Sequence, residues 1–477
     1  MDSQKQAAAK DRFQAYLNRT KMDHKKYQYD GVQWMLNNEL CSDPVHGVRG
    51  GFIADEMGLG KTIMMIGVML CNLRARTLIV VPPVLVDQWY TQIYRTTGHK
   101  PLVYHGNNKK QISQFALSQA TIVITTYGAI TLTKKQLKTD ANTSLHQILW
   151  GRIIFDEAHH LRNKNTTRYT SAKRLTAHIR WLVSGTPVQN KRQDFYSLCS
   201  LLGLPTSFYT ETDNLPKLTT GFVLKRTKVS VGIKMPDVVH DKNMVNWRNQ
   251  QESDLSEKIH SALAFSHVSA LKGREFVANS MGKGGVLSLL LRARQMCIYP
   301  KLLSTTSLND AHTGAIQHSS KLDFAVGKIL QRKDNGCGKL IFCHFREEID
   351  EIARRLRAGG MAKVLTFDGR TTGSKRTEAL NARNDALILQ IQTGCEGLNL
   401  QENYSEIYFI SPHWNPAIED QAVARCHRIG QLNPVYVERF EMAPFAPDDD
   451  DALDTITVDN YVGAVQEGKR IIAQECI

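Results

Sequence analysis

The residues Gly51 to Thr62, GFIADEMGLGKT, join a short apolar run to a glycine-bearing loop that closes on Gly60-Lys61-Thr62. Chemistry needs that composition where a compact polyanion such as a triphosphate must be met by many donors at close range. Glycines at 58 and 60 let the backbone turn its N–H groups inward, and a helix opening at Lys61 aims its positive end at the anion while the Lys61 ammonium reaches the β and γ oxygens. Thr62 then offers its hydroxyl to Mg2+. The expected nucleotide contacts are Asp55, Glu56, Met57, Gly58, Leu59, Gly60, Lys61 and Thr62. Asp55 departs from the usual G-x-x-x-x-G-K-[ST] spacing, standing where the first glycine belongs.

A second constellation follows about a hundred residues later. Arg152-Ile-Ile-Phe155 delivers Asp156-Glu157-Ala158-His159. An open parallel sheet binds ligands beyond the carboxyl ends of its strands, so these acids are placed to face the nucleotide. Asp156 is expected to ligate Mg2+ through water, and Glu157 to orient or deprotonate the attacking water. Alone, such a pair reads as a solvated turn; beside a phosphate loop it reads as a site for nucleoside triphosphate hydrolysis. Upstream, Gln28 in an aromatic-rich amphipathic run carries an amide that can donate and accept at once, which suits the edge of adenine. Its alternative is a solvated helix residue. Ser184-Gly-Thr-Pro-Val-Gln-Asn190 either couples phosphate status to movement elsewhere or is a Pro-directed turn.

The elements that must hold these groups show in the apolar pattern. Thr77–Val81, Thr121–Thr126, Arg152–Phe155 and Trp181–Val183 read as parallel strands, with helices over 63–73 and 85–94. Lys339–Phe342, Val364–Gly369, Ala386–Ile391 and Ile407–Ile410 restart the pattern, with a helix over 347–356 that Gly359-Gly360 terminates. Farther on, Arg425 and Arg428 are three apart, hence on one side of a helix, where both guanidinium groups can reach one anion. An isolated pair of this kind is otherwise an ordinary basic helix. Phe222–Lys228 and the helix-like run Leu287–Cys297, with Arg292 and Arg294, read equally as phosphate contacts or as solvated faces.

Tyr27-Gln28, Asp55–Thr62, Asp156–His159 and Ser184–Asn190, in this order, resemble the motifs of the Swi/Snf-type DNA-dependent ATPases of helicase superfamily two. Phe222–Lys228, Leu290–Pro300, Thr393–Leu400 and Asp420–Gln431, with Gln421, His427, Gly430 and Gln431, are similar to further stretches of that family. The resemblance spans about residues 25 to 440, with Ala158 where many members have glycine. It implies an α/β protein of two RecA-like lobes, each a mostly parallel sheet flanked by helices, with a helical insertion between them. It also implies ATP and Mg2+ in a cleft, duplex DNA across both lobes, and Arg425 and Arg428 as arginine fingers from the second lobe. The expected divisions are a flexible segment at 1–25, the ATP-binding lobe at 26–228, the insertion and linker at 229–318, the second lobe at 319–441, and an acidic loop with a C-terminal helix at 442–477.

Bulk properties agree with this reading. Sixty Lys and Arg against 46 Asp and Glu give a formal charge of +14, which suits a polyanionic partner. Nine cysteines without a C-x-x-C pair argue against a disulfide framework and a structural zinc site. No apolar run reaches the roughly 18 residues of a membrane span. The expectation is therefore a soluble intracellular monomer, nuclear in a eukaryote or a nuclear-replicating virus, which hydrolyses ATP to move on double-stranded DNA in transcription, recombination or repair. Transcription or chromatin proteins are candidate partners. With 477 residues, no bromo-, chromo- or SANT-like module is expected, and the build resembles compact stand-alone members, including those of large DNA viruses. The alternatives are a strand-separating helicase and a scaffold that senses nucleotide on DNA without turnover.

Overall fold

Strands buried on both faces need continuous apolar runs, and those runs set the frame here. β1 (Gly50–Ile53), β2 (Thr77–Val81), β3 (Leu102–Tyr104), β4 (Ile122–Thr126), β5 (Arg152–Asp156), β6 (Arg180–Val183) and β7 (Val223–Leu224) form a seven-stranded sheet. Its order is β3-β4-β2-β5-β6-β1-β7, with every pair parallel. The computed structural model describes all residues except 1–2, 21–24, 140–142, 187–190, 262, 264–283, 304–317, 372–383, 395–397, 446–455 and 477. It divides into one unit of residues 1–234 with 472–477 and another of residues 235–471.

In the first unit the strand residues alternate between two apolar layers. Leu78, Val80, Ile153 and Phe155 enter one; Ile79, Val81 and Ile154 enter the other. The second layer is covered by α1 (Ser3–Thr20), α2 (Lys26–Leu40), α3 (Lys61–Cys71) and α4 (Val86–Thr97). Residues 1–25, expected to be flexible, are mostly α1. Phe13, Tyr16 and Leu17 are buried in this layer, and Arg12 Nη2 donates to the Cys71 carbonyl at 2.6 Å. Their i, i+3, i+4 spacing makes one apolar stripe, hidden in the sequence by the Lys and Gln around it. Phe13 lies directly over Gly67, where an added Cβ would meet its ring at 2.4 Å, so a glycine in mid-helix lets α1 close on α3.

Beneath the first sheet sits a fully buried carboxylate. Glu39 accepts from Arg152 Nε at 2.7 Å and Nη2 at 2.6 Å, from Trp181 Nε1 at 2.8 Å and from Asn72 Nδ2 at 2.7 Å. It ties α2 to β5, β6 and the end of α3, and its partners supply the hydrogen bonds a buried charge requires.

The second unit has its own parallel sheet of six strands. β8 (Val238–Val245), β9 (Gly338–Cys343), β10 (Val364–Phe367), β11 (Ala386–Gln390), β12 (Tyr404–Phe409) and β13 (Val435–Met442) run in the order β8-β13-β12-β9-β11-β10. Residues 238–245, expected within a helical insertion, are its edge strand. Their pairing lies along one side alone, and exposed His240, Asp241 and Lys242 break any apolar run. α5 (Gly284–Ile298), α6 (Ser320–Gln331) and α7 (Arg346–Ala358) flank the sheet. α8 (Pro416–Val423) follows β12, and α9 (Val458–Cys476) buries Tyr461 and Val462 in this unit's core. At the start of α9, Asp459 receives the buried Lys321 ammonium at 2.5 Å. The acidic run Asp448–Asp451, most of the linker 302–320 and Pro187–Asn190 lie outside the described residues.

Candidate active site

β1 ends at Ile53 and α3 begins at Lys61, so the whole phosphate loop hangs between a strand end and a helix start. Gly58 and Gly60 take φ of 93° and 82°, which a side chain resists. Leu59 is wholly buried and anchors the loop, while Thr62 stands half-buried in the first turn of α3. Gln28 is buried against the loop: its Nε2 donates to the Leu59 carbonyl at 3.1 Å and lies 2.4 Å from where a Gly60 Cβ would stand. The solvated alternative for Gln28 is thereby removed. Lys61 Nζ donates to the Asp55 carbonyl at 2.8 Å and reaches that of Glu56 at 3.4 Å.

The acids of the loop are bound by the segment after β7. Arg226 grips the fully buried Asp55 with both arms, Nε to Oδ1 at 3.1 Å and Nη2 to Oδ2 at 2.5 Å, and also donates to the Tyr27 carbonyl. Lys228 Nζ meets Glu56 Oε1 at 2.8 Å, and its backbone N–H donates to Oε2 at 2.8 Å. Main-chain bonds from Ala54 to Leu224 and from Glu56 to Arg226, at 2.8 and 2.9 Å, continue the pairing. Arg226 and Lys228 are therefore neither solvated nor turned to an outside phosphate. Sequence reasoning missed them because 171 positions separate Arg226 from Asp55.

Asp156 closes β5, one strand removed from β1, with β6 between them. Its Oδ2 accepts from Trp89 Nε1 at 2.7 Å, its Oδ1 from the Glu157 N–H at 3.0 Å, and its carbonyl from Tyr127 Oη at 2.6 Å. Burial pushes its carboxyl up to about 6 and the neighbouring Glu157 adds to the rise, while Trp89, Lys61 and the Glu157 N–H oppose it. Trp89 gave no sequence signal as a donor, since Val86, Trp89 and Ile93 share a face of α4 that reads as core.

Glu157 holds a left-handed backbone, φ 52° and ψ 50°, an uncommon state for a residue with a side chain and one that collects at functional sites. Its Oε2 lies 3.3 Å from His159 Nδ1, which lies 3.2 Å from Ser184 Oγ, and Ser184 Oγ accepts from the Thr186 N–H at 3.3 Å. An added Cβ on Gly185 would stand 3.3 Å from Lys61 Nζ and 3.0 Å from Met57 Cγ. The carboxylates, the Ser184–Thr186 turn and the loop lysine thus form one contiguous cluster. Among the described residues no group of three His, Cys, Asp or Glu side chains is set to hold a metal. Mg2+ of the kind that takes most of its ligands from water and substrate phosphates asks the chain for only a hydroxyl or a carboxylate, the donor types that Thr62 and Asp156 carry.

In the second unit α8 stops at Val423, and Arg425 and Arg428 lie in the turns beyond it, not on the helix expected for them. Beyond the helix, Gln431 holds the chain inward. Its Nε2 donates to the carbonyls of Gln401, Tyr404 and Cys426 at 2.9, 3.0 and 3.3 Å, and Gly430 takes φ of 100°. Arg428 Nη1 donates to Asn399 Oδ1, and burial together with the nearby Arg425 charge lowers its basicity. Two like charges held in one half-buried turn suit an anion. Arg294, expected at a phosphate or in solvent, is buried with Nη2 2.8 Å from His344 Nε2 and donating to the Pro412 carbonyl, whereas Arg292 donates to Gln295 at 2.7 Å.

Residues 27–302 match the SNF2-related domain, and residues 321–430 match the helicase conserved C-terminal domain. The chain is 28% identical over 439 residues to a probable global transactivator of Orgyia pseudotsugata multicapsid polyhedrosis virus, covering 86% of this chain and 85% of that protein. It is 27% identical to an uncharacterized ATP-dependent helicase of Mycoplasma genitalium, covering 91% of this chain and 41% of that protein. Against the DNA excision repair protein ERCC-6-like of Danio rerio it is 26% identical, covering 87% and 34%. The chain thus spans most of the viral relative but less than half of the other two. A solved SWI2/SNF2 ATPase core from Sulfolobus solfataricus in complex with dsDNA aligns with a TM-score of 0.40 and 21% identity, over 89% of this chain and 88% of that one. No helix among the described residues is long and apolar enough to cross a membrane. With residues 27–302, more than half of the chain, matched by one family model and residues 321–430 by the companion C-terminal model, the chain belongs to the SNF2-related family.

Proposed function

We propose that this chain hydrolyses ATP and uses the cycle to move along double-stranded DNA. The observation that carries the reading is the cluster of Lys61, Gly185, Asp156 and Glu157 at the carboxyl ends of three adjacent strands, where parallel sheets bind ligands. The N–H groups of the loop and the first turn of α3 receive the phosphates, and Gln28 reads the base from beneath the loop. Lys61 leaves the Asp55 and Glu56 carbonyls to meet the β and γ oxygens. Thr62 and Asp156 hold Mg2+, which when bound offsets the charge on the transferring phosphoryl group. Glu157 orients the attacking water, with His159 and Ser184 linking its carboxylate to the Thr186 turn. Arg425 and Arg428 supply the cation that stabilises the transition state.

Movement on duplex DNA rests on family membership, on the +14 charge, and on the relatives named for DNA excision repair and as an ATP-dependent helicase. The viral relative named as a transactivator favours a role in transcription. The test is ATPase rate with no nucleic acid, single strand, duplex, RNA and nucleosomes. Duplex is expected to stimulate most, with a steep fall as salt rises. Equal rates with and without duplex overturn the motor, and displacement of a strand from a fluorescent duplex replaces translocation by strand separation.

A further inference from the structure

A loop built to bind a polyanion carries two carboxylates of its own, Asp55 and Glu56, directly ahead of Met57-Gly58. Left alone, both would repel a triphosphate and would compete with it for the Lys61 ammonium. Each has instead been given a cation from one short segment. Arg226 binds Asp55 through both oxygens, and Lys228 binds Glu56 through its ammonium and its backbone N–H. Lys61 meanwhile donates to the carbonyls of those same two acids, which hold its ammonium without cancelling its charge.

Resting on the ATP-binding reading above, we infer that Arg226 and Lys228 are positioning residues that make an acid-bearing phosphate loop fit for polyphosphate. They neutralise Asp55 and Glu56 and fix the loop carbonyls on which Lys61 waits. Affinity then depends on the charge balance of residues far apart in sequence, and it depends on how many phosphates the ligand carries. A brace with a merely mechanical role would affect adenosine and ATP alike.

The experiment uses the full chain and a fluorescent ribose-labelled ATP, displaced by unlabelled ATP, ADP or adenosine. Lys228→Met is expected to weaken ATP about tenfold, the order for one uncompensated charge beside a polyanion at a protein surface. The loss shrinks for ADP, vanishes for adenosine and diminishes with added salt. Adding Glu56→Gln to Lys228→Met restores ATP affinity to within about twofold of wild type. Glu56 keeps 39% of its side-chain surface exposed, so Glu56→Gln alone folds and keeps the idea testable. It is expected to tighten ATP severalfold. Unchanged ATP affinity in Glu56→Gln, an equal loss for adenosine in Lys228→Met, or failure of the double variant to recover overturns the counterion role. Wild-type protein that binds no ATP overturns the pocket itself, and the two failures are told apart by that first titration.

Discussion

The indole Nε1 of Trp89 donates to Oδ2 of Asp156 at 2.7 Å, joining a helix face to the acid that closes the neighbouring strand 67 positions later. The bond holds the carboxylate in one orientation and favours its charged form against burial. Trp89→Phe keeps an aromatic ring, though a smaller one, and removes the donor. A hydrogen bond to a charged group is worth about 1.5 kcal/mol or more, which is about one pH unit. The acid limb of the Mg2+-dependent ATPase profile is therefore expected to move upward by about one unit, read from initial rates between pH 5 and 8.

Asp156 also bears on stability. Its folded pKa, about 6, lies above the ordinary 3.8, so the folded state binds its proton more tightly than the unfolded one. The ionised carboxylate consequently costs stability, with the penalty growing between pH 4 and 6 and fully present above. Asp156→Asn removes it and is expected to raise the melting midpoint at pH 7.5 while abolishing turnover. The gain is reduced because an amide cannot accept both of the bonds the carboxylate accepts. A variant whose melting midpoint gains nothing on wild type as the pH rises from 4 to 7 would refute the burial argument.

The site assignments separate binding from chemistry. Lys61→Ala is expected to lose both ATP affinity and turnover, whereas Glu157→Gln and Arg428→Ala lose turnover by about a thousandfold or more and still bind ATP. Equilibrium titration beside single-turnover kinetics distinguishes them. Wild-type turnover in Arg428→Ala removes the arginines from the mechanism.

Glu39 tests the frame below the site. Glu39→Ala leaves Arg152, wholly buried, without its carboxylate, and breaking such a pair costs about 3–5 kcal/mol. Thermal melting is expected to show a large loss, and amide exchange is expected to quicken first in β5 and β6, which Arg152 and Trp181 tether to it.

Much of the fold was legible because buried parallel strands announce themselves. Thr77–Val81, expected as a strand, is β2 with the same ends, and the runs around 122–126, 152–156 and 386–390 need only small changes. Leu102–Tyr104 and Val223–Leu224 were too short to stand out, and Val238–Val245 too polar. Edge strands keep one side in water and so lack the continuous apolar run. α1 was misread for a related reason: a stripe of three apolar residues among many charges satisfies a helix and escapes a composition count.

Sequence by itself determined which groups the proposed chemistry draws on, because glycines at 58 and 60, Lys61 and the Asp156-Glu157 pair are local patterns whose spacing is readable without the fold. Tertiary structure decided what surrounds that chemistry. Arg226 and Lys228 look like any basic stretch until β7 pairs with β1 and lays them against Asp55 and Glu56, and Trp89 looks like core until α4 sets its N–H on Asp156. Charge and hydrogen bonding act over a few ångströms of space, and distance along the chain carries no record of which groups will share them.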